Sequence, residues 1–281
     1  MTLSVFISVD MEGIAGITTR RQTLRGTDDY AWARELMTEE ANAAVAGASD
    51  AAARTVVVSD SHGDMGNLLP HRLDPRADLV QGTPKVPFSM MTGIAEGFSC
   101  AAFIGYHAGA GTADAVLDHT YAGIFTDVRV NGEAWNETHL NAALAGTFGV
   151  PVGFVTGDRA CCDQAMEKLP WIKTVAVKEG LGNRVGRSQS PAKARAAIRG
   201  IFREVVKHPE QLDLFLPPGP YALEIDTTDT AVADMCALSP GTVRCGPRGV
   251  RFETDDLRVL YRCLLTWMNL GQRVAPGSPI K

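Results

Sequence analysis

Two carboxylates follow the first apolar segment of the chain, two positions apart. Asp10 and Glu12 lie in the stretch 8–13, directly after the short apolar run 3–7, which is typical of a buried strand. Residues two apart in a strand point to the same side, and Gly13 allows the chain to turn away behind them. Because neighbouring carboxylates repel each other, such a pair favours a bound cation. The pattern also fits two solvated side chains at the polar end of a strand.

Three further side chains with the chemistry of metal ligands follow other predicted elements. His62 comes after the apolar run 55–59, His107 directly after the run 101–106, and Glu137 at the start of a predicted helix. In a parallel α/β sheet, sites form at the carboxyl ends of the strands. Three carboxylates and two imidazoles suit Zn²⁺, and also Mn²⁺ or Fe²⁺. A carboxylate shared by two such ions would make a two-metal site, which generates hydroxide near neutral pH.

Each of these residues also has an ordinary structural interpretation. A histidine after a strand is more often a hydrogen-bonded structural residue than a ligand, and a glutamate at a helix N-terminus is commonly a partner of the helix dipole. His62 and His107 stand out because both follow apolar strands of the same predicted sheet, whereas His71 and His208 lie in proline-containing loops.

The elements that must position these side chains alternate between strand and helix signals. The predicted strands are 3–7, 55–59, 78–82, 101–106, 151–156 and 174–177, and the predicted helices are 28–53, 88–96, 137–145 and 159–168. This alternation predicts an α/β fold in three layers, with helices on both faces of a mainly parallel sheet. Glu39 and Glu40 are expected on the surface of helix 28–53 or at a subunit contact.

The alternation of predicted strands and helices is interrupted after residue 118. Residues 119–130 alternate and end at Asn131-Gly132, which indicates a hairpin with the return strand 133–135. The polar stretch 182–190 predicts a boundary between an α/β metal-binding catalytic domain, residues 1–188, and a smaller α+β domain, residues 189–281. The hairpin 119–135 is a candidate to pack with the smaller domain. Residues 276–281 are expected to be loosely held.

Composition excludes several classes of protein. The chain has 281 residues, 45% hydrophobic and 21% charged, which is typical of a globular protein with a sizeable core. A net charge of −5 without a basic tract argues against nucleic acid as a partner. No apolar run approaches ~18 residues, so no membrane-spanning helix is expected. The first residues lack the basic region of a secretory signal, so a cytoplasmic protein is expected. The six cysteines show no CxxC spacing, which is consistent with reduced thiols in the cytoplasm.

Four ligand-bearing segments, in order along the chain, resemble the D-aminopeptidase family of zinc peptidases. They are Ser8-Val9-Asp10-Met11-Glu12-Gly13, Ser59-Asp60-Ser61-His62, Gly105-Tyr106-His107-Ala108 and Asn136-Glu137-Thr138-His139-Leu140-Asn141-Ala142. Segments 37–42, 87–90 and 190–193 also look like family segments, so the resemblance covers nearly the whole chain. One such segment alone would carry little weight, whereas four in the same order are specific.

The resemblance implies a site with two zinc ions per chain and a catalytic histidine. The five ligands would be Asp10, Glu12, His62, His107 and Glu137. Asp10 would bridge the two ions, and His119 would be the catalytic residue, as a proton carrier or by direct attack. The loop between His107 and His119 is one residue longer than the family pattern and richer in small residues. The family forms a ring-shaped decamer with its sites facing an inner channel, so a homo-oligomer is implied as well.

The implied function is removal of the N-terminal residue from short peptides or amino-acid amides, with D-residues among the substrates. The two metals would hold the free amine and polarise the scissile carbonyl. One alternative is a two-metal hydrolase of another amide or of a phosphoester, which would be expected to bring Arg or Lys to the metals. The ligand segments bring none, apart from the distant Arg20-Arg21. Another alternative is a non-enzymatic peptide-binding component of a transport system, which would need a signal segment if it were secreted.

Overall fold

The computed structural model describes residues 2–275, which form twelve strands and seven α-helices. In chain order these are β1 (Ser4–Val9), α1 (Arg20–Thr23), α2 (Asp28–Asp50), β2 (Thr55–Asp60), β3 (Asp78–Val80), β4 (Cys100–Tyr106), β5 (Phe125–Val130), β6 (Glu133–Ala134), α3 (Glu137–Gly146), β7 (Val152–Asp158), α4 (Arg159–Lys168), β8 (Lys173–Gly182), β9 (Val185–Ser188), α5 (Pro191–Lys207), β10 (Tyr221–Thr227), α6 (Thr230–Cys236), β11 (Val243–Arg244), β12 (Gly249–Thr254) and α7 (Leu257–Gly271). Residues 276–281, expected to be loosely held, lie outside the described part of the chain. Among the helices within residues 2–275, none has the length and apolar character needed to span a membrane.

The larger sheet has the strand order β3-β2-β1-β4-β7-β8-β9. Its neighbouring strands are parallel except for the pair β8–β9. In β1, Val5 and Ile7 belong to the apolar cluster that includes α2 and α5, whereas Phe6 belongs to the cluster on the other face. Because both faces are covered, the central strands are apolar throughout. The predicted α/β fold with a mainly parallel sheet is confirmed.

The long helix α2 begins where the sequence predicts and packs closely against α5. The Thr27 hydroxyl caps its first turn, and Asp28 and Asp29 complement the positive end of the helix dipole. Gly47 is required for the contact with α5, since a Cβ at this position would lie 2.6 Å from the backbone oxygen of Arg199. The two helices cover one face of the larger sheet.

A second, antiparallel sheet has the strand order β11-β12-β10-β5-β6 and packs against α6 and α7. Its strand β5 comes from the hairpin expected at Asn131-Gly132, where both residues have positive φ angles, 54° and 82°, as a tight two-residue turn requires. Strand β5 pairs with β10, which comes much later in the chain. A division into two domains after residue 188 stays a prediction.

Three segments differ from the expected secondary structure. Residues 88–96 form two 3₁₀ turns, Ser89–Met91 and Ile94–Glu96, because Gly93 and Gly97 have positive φ angles that interrupt a helix. Residues 119–124 form turns, and the strand begins only at Phe125. The polar stretch 182–190 contains β9, which extends the edge of the larger sheet as a hairpin with β8. Since β9 is mostly exposed, its sequence carries no buried alternation that would have indicated a strand.

Candidate metal centre

The carboxyl ends of three adjacent strands bring predicted ligands to one edge of the larger sheet. Asp10 follows β1, His62 follows β2 and His107 follows β4, and these strands are neighbours in the order β2-β1-β4. Glu12 extends from the turn after β1. Glu137 reaches the same place from the second sheet, as the first residue of α3 after the hairpin β5–β6. Four of these five side chains are more than 90% buried, and the fifth, that of His62, is 12% exposed.

The start of α3 is held by its own side chains. The Asn136 side chain accepts a hydrogen bond from the backbone N–H of His139 at 3.0 Å, and the backbone N–H of Asn136 donates to Nδ1 of His139 at 3.2 Å. The Nε2 of His139 lies 2.9 Å from the backbone oxygen of Gln164. Burial lowers the pKa of His139 to about 4, so this histidine is neutral and structural. The reciprocal cap orients Glu137 into the centre.

One half of the centre consists of Asp10, Glu12 and His62. Nδ1 of His62 lies 2.9 Å from Oε2 of Glu12 and 3.4 Å from Oδ1 of Asp10. The other ring nitrogen, Nε2, lies 2.8 Å from the backbone oxygen of Thr23. Ligand atoms from all three residues lie within 4.8 Å of one another, which is close enough to hold one metal ion.

The other half consists of His107 and Glu137, with Asp10 between the two halves. Nε2 of His107 lies 3.3 Å from Oδ2 of Asp10 and 3.3 Å from Oε1 of Glu137. Nδ1 of His107 lies 3.0 Å from the backbone oxygen of Ala108. Asp10 therefore directs one carboxylate oxygen at each histidine, an arrangement that suits a carboxylate shared between two cations.

The backbone carbonyls determine which ring nitrogen of each histidine is free. A carbonyl oxygen only accepts hydrogen bonds, so Nε2 of His62 and Nδ1 of His107 carry the hydrogens that they donate. The opposite nitrogens are left facing carboxylates, and Nε2 of His107 is buried without a hydrogen-bond partner among the described residues. Such a nitrogen presents a lone pair to negatively charged oxygens, so a proton or a metal ion is needed between them. Metal-ligating histidines usually have this kind of second hydrogen bond, so the residues fit a metal centre.

The electrostatics of the centre also favour a bound cation. Burial raises the pKa of Asp10, and the nearby charge of Glu12 raises it further. Burial alone would lower the pKa of His62, but Glu12 and Asp10 raise it well above its usual value, and Glu137 and Asp10 do the same for His107. The three buried carboxylates thus create a strongly negative site, in which divalent cations can replace the protons.

His119 reaches the centre from the loop after β4. Its ring stacks on that of His107, with 3.9 Å between the ring centroids and 12° between the planes. Nδ1 of His119 lies 2.9 Å from the backbone oxygen of Leu117, so Nε2 is free, and it lies 3.9 Å from Oε1 of Glu137. The structure therefore brings all six predicted site residues together. Because His119, His107 and Glu137 also form a possible ligand group, this geometry alone leaves His119 as either a proton carrier or a ligand.

The centre opens into a cavity of about 690 Å³. Asp10, Glu12, His62, His119 and Glu137 form one part of its lining. Residues 83–87, Ser89 and Met90, which follow β3, and the C-terminal half of α7 form another part. The other two histidines, His71 and His208, are exposed and do not line it, as expected from their loops.

Nearly the whole chain is similar to known D-aminopeptidases. The family model for the D-aminopeptidases of peptidase family M55 matches residues 3–266. A D-aminopeptidase of Bacillus subtilis (strain 168) is 34% identical over 274 residues, which are 97% of this chain and 99% of the relative. The chain belongs to the D-aminopeptidase family. A solved structure, that of the Zn-dependent D-aminopeptidase DppA from Bacillus subtilis, described as a self-compartmentalizing protease, matches with a TM-score of 0.93 and 33% identity, over 98% of this chain and 100% of that chain.

In this member of the D-aminopeptidase family, a buried lysine holds the turn that carries Glu12. Lys178 of β8 is 2% exposed, and its ammonium donates hydrogen bonds to the backbone oxygens of Glu12, Ile14 and Ile17. On the other side of the turn, Gly13 lies so close to β4 that a Cβ would be 1.9 Å from the backbone oxygen of Tyr106. Lys178 directly follows the predicted strand 174–177, and no local pattern shows that it is buried or what it binds, so the sequence did not predict its role.

Glu40 supports the same turn, and the expectation that it lies on the helix surface is wrong. It is 1% exposed, and its Oε1 accepts a hydrogen bond from the backbone N–H of Ala15 at 2.9 Å. Burial raises the pKa of Glu40 to about 7. The side of α2 that carries Glu40 faces the turn after β1, which the helical periodicity alone did not reveal. Glu39, by contrast, is partly exposed and paired with Arg195, within this chain.

A buried hydrogen-bond network supports the other half of the centre. Asn141 of α3 donates to the Tyr106 hydroxyl at 2.9 Å and accepts from the hydroxyls of Tyr121 and Tyr261, each at 2.7 Å. The backbone N–H of Tyr121 in turn donates to Oε1 of Glu137 at 2.6 Å. Asn141 lies in a segment that resembles the family, but no local pattern links it to Tyr261 on the last helix.

Proposed function

We propose that this chain removes the N-terminal residue from short peptides or amino-acid amides, with D-residues among its substrates, at a site that holds two zinc ions. Family membership makes the chain a metal-dependent aminopeptidase, and the matched solved structure is of a zinc-dependent enzyme. The observation that carries the proposal is the paired arrangement around Asp10, in which two histidines each direct a free ring nitrogen at buried carboxylates.

We assign one zinc ion to Asp10, Glu12 and His62, and the other to Asp10, His107 and Glu137. When bound, the two ions would supply Lewis acidity, which holds an uncharged amine through its lone pair, polarises the scissile carbonyl and activates a water molecule. The buried backbone contacts of Lys178 and of Tyr121 keep Glu12 and Glu137 in place for this purpose. These contacts pre-organise the ligands before the metal arrives.

The proton transfers are assigned to His119. Its Nδ1 donates to Leu117, so its Nε2 has the lone pair that a general base needs. An imidazole is suited to take a proton and return it near neutral pH, here to the amine that leaves when the peptide bond breaks. The ring is 25% exposed, so it can contact a substrate in the cavity, and stacking on His107 keeps it oriented.

Removal of zinc tests the proposed reaction. We expect the purified protein to release the N-terminal residue from alanyl amides and alanyl dipeptides of D or L configuration, to lose this activity on dialysis against a chelator, and to regain it with Zn²⁺. A chiral amino-acid assay on both enantiomers gives the preference. Hydrolysis of p-nitrophenyl phosphate, without any release of amino acid, would contradict the proposal and favour the phosphoesterase alternative.

We also propose that the chain works as a homo-oligomer, as a decamer by resemblance to the family. The matched solved structure is of a self-compartmentalizing protease. The chain also exposes large hydrophobic side chains suited to subunit contacts, among them Leu24, Val86, Leu181 and Leu238. Analytical ultracentrifugation is expected to show a mass about ten times the 30.0 kDa of one chain. A monomer at micromolar concentration would contradict assembly, and a smaller oligomer would contradict only the decamer.

The cytoplasm is the proposed location. All six cysteines are free, and only Cys245 is exposed, as expected for a protein that keeps reduced thiols. Cell fractionation with antibodies against the protein would test this assignment.

A further inference from the structure

The cavity beside the metal centre is also lined by cationic side chains. Lys85 comes from the segment after β3, Arg262 from α7, and Arg273 from just beyond that helix. The ligand segments themselves contain no Arg or Lys, so the tertiary structure alone brings positive charge to this cavity. Neither the proposed metal ligands nor His119 accounts for these three residues.

Lys85 is held rigidly, but only by neutral groups. Its ammonium donates to the hydroxyl of Ser59 at 2.8 Å and to the backbone oxygen of Asp60 at 2.5 Å. These acceptors are at the end of β2, two to three residues before His62, so the ammonium lies at the same edge of the sheet as the metal centre. An ammonium has three hydrogens, and two are used here.

No carboxylate pairs with Lys85 among residues 2–275. Asp60 accepts from Lys85 only through its backbone oxygen. The Asp60 carboxylate is hydrogen-bonded elsewhere: Oδ2 accepts from the backbone N–H groups of Asn67 and Leu68, and Oδ1 accepts from the Asn67 amide. Burial lowers the pKa of Lys85 to about 8. The charge of Asp60 opposes this shift, but no acidic side chain among residues 2–275 forms a direct ion pair with the Lys85 ammonium, which leaves it able to bind an anionic ligand.

Arg262 adds a second unpaired cation on another wall. Its Nε donates to the backbone oxygen of Arg258 at 3.3 Å, and within the described residues its guanidinium has no acidic partner. Arg258 is different, because it is bound to Thr147 and lies over the ring of Phe148, away from the cavity lining. A guanidinium presents parallel N–H groups that match a carboxylate.

We propose that Lys85, assisted by Arg262, binds the C-terminal carboxylate of a short peptide whose N-terminal amine is held at the metal centre. This inference rests on the proposed aminopeptidase function and specifies its substrate class. A free dipeptide or tripeptide has opposite charges at its two ends, and extended residues span only about 3.3–3.6 Å each. At the metal centre the amine would bind without its charge, so the C-terminal carboxylate is the group that the cations of the cavity can recognise. Free short peptides are therefore the preferred substrates, ahead of peptide amides and longer chains.

The test compares an alanyl-alanine dipeptide, of the configuration that the enzyme prefers, with the same dipeptide amidated at its C-terminus. The zinc-loaded, full-length wild-type protein is expected to have a kcat/KM at least ~10-fold higher for the free acid. Lys85→Met removes the charge and keeps a similar length. It is expected to lower kcat/KM for the free acid by ~10-fold to 100-fold, mainly through KM, because a hydrogen bond to a charged group is lost. The value for the amide should change by less than about 2-fold.

Two further variants make the result specific. Arg262→Met, at an exposed position, should lower the same acid-to-amide ratio by a smaller factor, and it decides the question if Lys85→Met does not fold. Lys173→Met, at the exposed start of β8, removes a lysine outside the cavity and should leave both values unchanged. Zinc content and mass in solution, measured on each preparation, show that the centre and the assembly are intact.

The outcomes separate the carboxylate site from the aminopeptidase function. If the wild-type protein cleaves the amide as well as the acid, or if Lys85→Met lowers both values equally, the carboxylate site is wrong and the aminopeptidase function stands. If the wild-type protein cleaves neither peptide but hydrolyses p-nitrophenyl phosphate, the proposed function fails, and the cations bind phosphate instead.

Discussion

Replacing His119 by alanine is expected to lower kcat by about 10² or more while each chain keeps two zinc ions. The five proposed ligands remain in this variant, so metal binding should not change. The catalytic step should slow because Nε2 of His119 is the free imidazole nitrogen that faces the cavity. The measurement is kcat on a short peptide together with elemental analysis of zinc in the same preparation.

His71→Ala is the matched control for this variant. His71 is exposed in a 3₁₀ turn and does not line the cavity, so its removal should leave both kcat and zinc content unchanged. If His119→Ala keeps kcat within a few-fold, His119 only packs against His107. Loss of one zinc ion would instead make His119 a ligand, in the group that it forms with His107 and Glu137.

Replacing Asp10 by alanine is expected to disrupt binding of both zinc ions and to reduce turnover to the background rate. Asp10 directs Oδ1 toward His62 and Oδ2 toward His107, so its removal takes an oxygen from each half of the centre. The remaining ligands of each ion would number only two, fewer than the three that catalytic zinc sites usually have. Elemental analysis after gel filtration measures the zinc that remains bound.

Glu12→Ala is the informative comparison, because Glu12 contacts only His62 in the first half of the centre. This variant should lose one zinc ion and keep the one beside His107. Asp163→Ala, on the exposed side of α4, controls for loss of an acidic residue and should keep both ions. If Asp10→Ala still holds two zinc ions per chain, Asp10 is not the bridge.

Much of the fold could be predicted from local patterns in the sequence. Apolar runs such as residues 3–7 and 101–106 form buried strands, and the Asn131-Gly132 turn forms the expected hairpin, because each pattern depends on residues close together in the chain. The predicted secondary structure was wrong where glycine backbone conformation or the solvent exposure of a strand outweighed the helix or strand propensity of the residues. Gly93 and Gly97 interrupt the helix expected at 88–96, and the exposed strand β9 has no apolar face to reveal it.

The sequence by itself also determined the chemical types of the candidate ligands. Asp10, His62 and His107 each follow an apolar strand, and strands of a parallel sheet end at a common edge. Only the tertiary structure decided that β2, β1 and β4 are neighbours, and that the second sheet delivers Glu137 to the same edge.

The supporting residues were decided by the tertiary structure alone. Lys178 binds a turn more than 160 positions earlier in the chain, and Tyr261 reaches Asn141 from the last helix. Lys85 and Arg262 line the same cavity from two elements that are far apart in the chain. The physical reason is that a local pattern shows which face of its own element is buried, whereas a buried charge or amide takes its partners from whichever elements pack beside it. Spacing along the chain carries no signal of such contacts.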